Sequence, residues 1–332
     1  MRRRFHILGF LGIALSVVAV AQSGPTLVGT GYTFPGRIIA PGQIVRLQIT
    51  GLNTVLASPF TPYSQKATSV PLPTTMAGIS VQVTQYVTAN LGIPSTAVGP
   101  FALPILALSQ ESFCLLGSSS PACLITVVTV QIPTLLRPSG TDIGPTLLVI
   151  SENNIDSATV YMSVRSDQIH VITGADNGSR FGSIVTHLDG SMVSMQSPAK
   201  PGEVVVIYAW GLGTTLPSVN IGELTPAPAP VALVEGFPGV FVQFDFSPNA
   251  PPKNVFEYPP PQSVGPAVVV QAYLTPGQVG LFQINVEVPT RFPTVPACDG
   301  LYVRSNLTIS LSATSSTDGA AICVQPPQPV QE

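Results

Sequence analysis

The run Pro41–Leu52 (PGQIVRLQITGL) returns 160 residues later as Pro201–Leu212 (PGEVVVIYAWGL). Three further segments return in the same order at nearly the same offset. Gly78–Val83 (GISVQV) matches Gly239–Phe244 (GVFVQF), Val128–Pro133 (VTVQIP) matches Ile284–Pro289 (INVEVP), and Thr146–Ser151 (TLLVIS) matches Leu307–Ser312 (LTISLS). A period this long exceeds any solenoid unit and fits a whole domain, so the chain reads as two copies of one fold.

Alternation along these segments identifies the fold class. In 44–50, Val45, Leu47 and Ile49 alternate with Arg46, Gln48 and Thr50, the period of a half-buried strand. The matched inward set is Val205, Ile207 and Ala209. Ile79, Val81 and Val83 correspond to Val240, Val242 and Phe244, and Val128, Val130 and Ile132 to Ile284, Val286 and Val288. Pro100–Leu108, read as one strand, corresponds to Pro266–Leu274. Charged residues make up only 9% of the chain against a usual value of about 25%. With 45% apolar residues, 35 Pro and 29 Gly, this is the reverse of a disordered composition. Short β-branched runs punctuated by Pro and Gly predict an all-β protein of two tandem sandwiches.

The N-terminus reads as an export signal. Arg2, Arg3 and Arg4 precede an apolar stretch from Ile7 to Val20, and Ala19-Val20-Ala21 supplies small residues for cleavage. This places the signal peptide at 1–21 and the mature start at Gln22. The apolar stretch is shorter than the roughly 20 residues of a membrane span, so no membrane insertion is expected after cleavage. Removing the signal leaves 10 Lys and Arg against 16 Asp and Glu, a net charge near −6. That balance gives no electrostatic basis for binding nucleic acid or anionic lipid. The expected location is periplasmic, cell-surface or extracellular.

The mature region divides into a first domain over 22–165, a second over 166–325 that includes an N-terminal linker, and a Pro-rich tail at 326–332. The segment 165–198 holds the boundary and includes Asp189-Gly190, a tight-hairpin signal. Pro226–Pro230 and Pro259–Pro261 are excluded from central strands. Four cysteines suit an exported chain. The expected pairs are Cys114–Cys123 and Cys298–Cys323, each within one domain, out of three possible connectivities. A metal site is the competing reading, but it lacks any Cys-x-x-Cys pair and has only two mature histidines to help.

The residues Asp189–Ser191, Ser197–Gly213 and Leu274–Pro289 resemble a secreted Ig-like module. It is similar to the uncharacterised C-terminal domain family abundant in Solibacter-type acidobacteria, over most of 189–324, with the first half as a more divergent relative. The resemblance implies an Ig-like sandwich and export, and carries no activity or site residues. The chain departs from that family in its insert Phe246–Val264, in Trp210 and in its added cysteines.

Chemistry-bearing motifs are sparse. No Gly-x-Ser-x-Gly elbow occurs. His187, Asp189 and Ser191 stand close in sequence but read as a solvated hairpin turn. Asp176–Ser179 is a fragment of a calcium loop without its terminal Glu. Glu111, Glu152, Glu223, Glu235 and Glu257 show no pairing that suits glycoside hydrolysis. No enzyme, catalytic residue, metal or cofactor is therefore expected. Trp210 and Tyr208 fall on the face opposite Val205, Ile207 and Ala209, and they are the candidate ligand-binding residues. They are also candidates for burial beneath Phe256 and Tyr258 of the insert or by the other domain. The expected function is an exported, non-enzymatic module for cell-surface structure or protein–protein adhesion. The alternative is a carbohydrate-binding module using Trp210 and Tyr208, so the partner is a protein or a polysaccharide. A hydrolase centred on His187 or His170 is the third class.

Overall fold

The computed structural model describes residues 25–325 apart from 31–35, 57–61, 89–95, 114–120, 141, 158, 175–183, 228–232, 235–239, 245–264, 291–306, 312–316 and 321. The signal segment, Cys114, Cys298, Asp176–Ser179, Pro259–Pro261, the insert 246–264 and the tail 326–332 lie outside the described residues, as do Pro228 and Pro230.

The protein is all-β, and among the described residues helical structure is confined to short 3-10 turns such as Pro121–Cys123. Four sheets carry the strands. One runs Thr26–Thr30, Ile44–Thr50, Leu124–Gln131, Ile105–Ser112, Tyr63–Lys66. A second runs Ile38–Ile39, Val160–Val164, Ile143–Glu152, Ile79–Val87, Thr75–Met76, with Thr96–Ala102 joined to Ile79–Val87. The third runs His170–Val171, Val204–Trp210, Phe282–Glu287, Val268–Leu274, Leu233–Val234, Thr215–Leu216, with Val185–His187 also paired to Val204–Trp210. The fourth runs Gly265–Pro266, Phe241–Phe244, Leu307–Ser310, Thr317–Ala320. Among these strands only Ile38–Ile39 and Val160–Val164 pair in parallel.

The alternation read from the sequence is the alternation of burial. Val45, Leu47, Ile49, Val205, Ile207 and Ala209 are fully buried, and so are Val81, Val83, Val130, Val242 and Val286. Burying each Val, Leu or Ile contributes about 1.5–3 kcal/mol, so these positions dominate the stability of the sheets. Two hydrophobic clusters result, one drawn only from residues 27–164 and the other only from 169–324.

The same local devices recur in both halves. Gly42 and Gly202 both take positive φ in the turn that starts the central strand. Their N–H groups donate to Ile132 O and Val288 O respectively. Val45 then faces Val130, and Val205 faces Val286. A bulge falls at the same ladder position: the pairing skips Leu106 between Ile105↔Val130 and Ala107↔Thr129, and skips Val270 between Val269↔Val286 and Gln271↔Asn285.

Two sequence expectations are corrected. Pro100–Leu108 is not one strand. Thr96–Ala102 ends in one sheet and Ile105–Ser112 begins in another, because Pro104 has no N–H to continue a ladder. The chain makes the same change of sheet at Ala267, between Gly265–Pro266 and Val268–Leu274. The match of 146–151 to 307–312 is also shifted by two residues. Val81 faces Ile150, whereas Val242 faces Ile309. A two-residue slip keeps every side chain on its face, so alternation alone does not detect it.

The halves meet through buried amides. Gln131 accepts the Gly222 N–H at 2.6 Å through Oε1 and donates to Gly42 O at 3.4 Å. Gln43, fully buried, donates to Gln168 O at 3.3 Å. The Leu72 N–H reaches Gly222 O at 2.8 Å. Gly211 and Gly280 allow the close approach: a Cβ at Gly211 would lie 1.9 Å from Gln168 O, and one at Gly280 would lie 2.8 Å from Gln131 Nε2.

Candidate functional site

The strand Val204–Trp210 turns Val205, Ile207 and Ala209 into the core and presents Tyr208 and Trp210 on the other face, both half-buried. Register sets their neighbours. Tyr208 faces Gln283, and Gln283 faces Tyr273 on the next strand, so the three form one row across the sheet. Gln283 Nε2 donates to the Tyr273 hydroxyl and, at 3.3 Å, to Asn285 Oδ1. Trp210 faces His170, their rings 5.9 Å apart between centroids and tilted by 36°. His170 Nδ1 lies 3.4 Å from Asp318 Oδ2, which also accepts the Val171 N–H at 2.8 Å. Aromatic edges alternating with amides offer both stacking and hydrogen bonding to a partner. The structure thus keeps Tyr208 and Trp210 on one face and adds Tyr273, Gln283, His170 and Asp318. The outward alternation of Gln283 was legible in sequence, but register and the approach of Asp318 to His170 were not.

The second histidine is organised differently from the sequence cluster. Asp189 Oδ1 accepts the Ser191 N–H and hydroxyl, at 2.9 and 2.6 Å, and closes the turn at Gly190. These hydrogen bonds hold the Asp189 carboxyl below its usual range. The carboxylate on the ring of His187 is Glu203, whose Oε1 lies 2.5 Å from Nδ1. His187 Nε2 lies 3.1 Å from both Ser197 O and Ser197 Oγ. The hydrogen bond to Glu203 raises the His187 pKa above the ordinary imidazole value, against a smaller opposing effect of burial.

Elsewhere, Glu152 is a buried carboxylate that accepts N–H groups of Asn53 at 2.8 Å and Thr54 at 2.5 Å. Burial pushes its carboxyl up, but the hydrogen bonds from Thr54 and Asn53 outweigh it and hold the pKa below the usual value. Its place on Ile143–Glu152 makes it a clamp on the 53–54 loop. A cleft of about 690 Å³ opens where residues 134–143 meet 212–214. Its walls include the exposed Arg137–Asp142 ion pair (2.9 Å) and the buried Leu136 and Leu212, and none of the sequence-predicted site residues.

Cys123 and Cys323 each take part in a disulfide, and no cysteine among the described residues is free. Among the described residues no group of three His, Cys, Asp or Glu is placed to hold a metal ion, and no helix is long and apolar enough to cross a membrane.

Fold and site together define an all-β protein of antiparallel sheets, with a half-buried aromatic and amide face on the strand that carries Trp210. No protein-family model matches the chain, and no curated protein matches it.

Proposed function

We propose that the chain is an exported, non-enzymatic module of two tandem Ig-like sandwiches, serving cell-surface structure or protein–protein adhesion. The domains span 22–165 and 166–325 in the manner of the acidobacterial family named above, and the pairs Cys114–Cys123 and Cys298–Cys323 are additions to that pattern. Duplication is supported by the recurring devices: Gly42 and Gly202 turn the chain at matched positions, and the bulges at Leu106 and Val270 share a ladder position although the sequence match of 100–108 to 266–274 is two residues off there. A bulge is a specific local feature, and two at the same ladder position fit descent from one ancestral domain.

The observation that carries the functional reading is the seam. Buried Gln43 and Gln131 bridge the halves by hydrogen bonds that are costly to leave unmade, about 1–3 kcal/mol for each orphaned group. A stiff joint between two sandwiches suits a module that spaces or displays surfaces. The carbohydrate-binding reading is favoured by one observation, the Tyr208–Gln283–Tyr273 row. Against it, Trp210 packs on His170 and is half-buried, which is less than a flat stacking platform requires.

The test uses beads coated with residues 22–332 and cells of the protein's own source. Capture of cells that is abolished when the cells are first treated with protease supports the adhesion reading. Capture abolished by periodate oxidation of cell glycans favours the carbohydrate reading. Absence of capture, together with an unchanged cell envelope on gene deletion, overturns both.

A further inference from the structure

Three groups around one hairpin are arranged for nucleophilic chemistry that the scaffold reading does not use. Glu203 is fixed first: its Oε2 accepts the Lys200 N–H at 2.8 Å, leaving Oε1 on His187 Nδ1 at 2.5 Å. His187 is fixed next, because its backbone N–H donates to Ser191 O at 2.9 Å and its ring is mostly buried, 12% exposed. Its far nitrogen, Nε2, then stands 3.1 Å from the hydroxyl of the exposed Ser197. Carboxylate to Nδ1 and Nε2 to hydroxyl is the order of contacts that activates a serine, whatever the order in sequence.

We propose that Ser197 is a nucleophilic serine, activated by the Glu203–His187 pair, that accepts an acyl group from an activated ester. In the reacting state the imidazole is neutral and its Nδ1–H is donated to Glu203. Ser197 Oγ attacks the ester carbonyl carbon as its proton passes to His187 Nε2. The bond from that carbon to the leaving oxygen breaks, and the leaving oxygen takes the proton from Nε2. The products are an O-acyl serine and the free alcohol, with no redox change and no other reactant.

The site lacks the usual backbone donors to an acyl-transfer oxyanion. An oxyanion hole commonly uses the N–H of the residue after the nucleophile, and Pro198 has none. The N–H of Ser197 itself is donated to Ser194 Oγ at 3.1 Å. Formation and hydrolysis of the O-acyl serine both pass through a tetrahedral oxyanion, so the missing donors slow both, and slow single acylation rather than rapid turnover is expected.

Protonation decides which atom of Ser197 the ring engages. The imidazolium donates Nε2–H to Ser197 O, and the neutral ring accepts the Ser197 hydroxyl, both at 3.1 Å. The charged groups facing His187 are Glu203 and Asp189, and both favour the imidazolium. Acylation consequently rises with pH as the ring loses its proton.

The experiment incubates residues 22–332 with p-nitrophenyl acetate and locates acetyl groups by intact mass and peptide mapping. Ser197 is expected to acetylate at least about 10²-fold faster in the folded chain than in the same chain unfolded in guanidinium, the usual gain from a positioned base. His187→Gln should remove that gain, and Glu203→Gln should move the midpoint of the pH profile down. The folded-to-unfolded comparison needs no variant, so a hairpin damaged by substitution does not obscure the result. Equal rates at Ser197 in folded and unfolded chains overturn the proposal. So does a wild-type rate in His187→Gln, or acetylation that falls on other residues and survives Ser197→Ala.

Discussion

Glu203 stands in the second half where Gln43 stands in the first. Each closes the same turn with its own side chain: Gln43 Oε1 accepts the Ala40 N–H at 2.9 Å, and Glu203 Oε2 accepts the Lys200 N–H at 2.8 Å. The remaining atom sets the difference. The amide of Gln43 donates to Gln168 O and joins the two halves, whereas the second oxygen of Glu203 holds His187. The amide at 43 thus serves the joint between the halves, whereas the carboxylate at 203 serves a histidine within its own half.

Glu203→Gln should lower the His187 pKa toward about 6.5, because the hydrogen bond and charge of Glu203 are its leading cause of elevation. The sign of the stability effect follows. A raised histidine contributes stability below its unfolded pKa and loses it as pH rises through the folded value. Wild-type protein should therefore weaken across that window, and Glu203→Gln should show a flatter profile. Titration of the His187 ring protons by NMR, beside urea unfolding at stepped pH, reads both. An unchanged His187 midpoint in the variant would sink the assignment.

Glu152 behaves in the opposite sense. Its folded pKa is depressed, so its contribution is present above the unfolded carboxylate value and is lost as pH falls through the folded one. Glu152→Ala leaves the Asn53 and Thr54 N–H groups without their acceptor and should cost about 2–4 kcal/mol at neutral pH. Below the folded pKa the gap between variant and wild type should narrow. Chemical denaturation at neutral and acidic pH measures the difference, and a constant gap would count against the clamp.

How much of this was legible depended on distance along the chain. Val45, Leu47 and Ile49 were assigned inward from alternation alone, since burial on one face of a strand has a period of two. Trp210 and Tyr208 were placed together for the same reason. The partner of Trp210 was not: His170 reaches it through strand pairing, and Asp318 reaches the Val171 N–H across 147 residues. His187 shows the limit most plainly. Asp189 was adjacent in sequence, yet the turn at Gly190 directs its carboxylate to Ser191, and the ring pairs with Glu203, 16 residues away. The break at Pro104 was visible as a residue, but the change of sheet it permits depends on which edges are open, and composition does not carry that.

Trp210 is the only tryptophan, so its fluorescence has one source. Half-buried against His170, it should show intermediate quenching by acrylamide, between a core and a fully solvated indole. Trp210→Ala should cost roughly 1–3 kcal/mol, below the 3–5 typical of a fully buried aromatic. A saturable emission shift with one polysaccharide would instead select the carbohydrate reading. Full quenching with no loss of stability in Trp210→Ala would mean that the stack on His170 does not hold in solution.

Gly277 and Gly280 isolate the packing of the seam from the strain of the turn. Both take positive φ, +72° and +60°, where an alanine costs about 1–2 kcal/mol. A Cβ at Gly277 meets nothing within 4 Å, whereas one at Gly280 lies 2.8 Å from Gln131 Nε2 and 2.9 Å from the Ile44 methyl. Gly277→Ala should therefore show the backbone cost alone. Gly280→Ala should add about 1–3 kcal/mol of overpacking and strain the Gln131 bridge to Gly222. If the bridge couples the two cores, calorimetric unfolding of Gly280→Ala should broaden or split while that of Gly277→Ala stays a single transition. Equal losses in the two variants, with one sharp transition in each, would show that the halves are not held through Gln131.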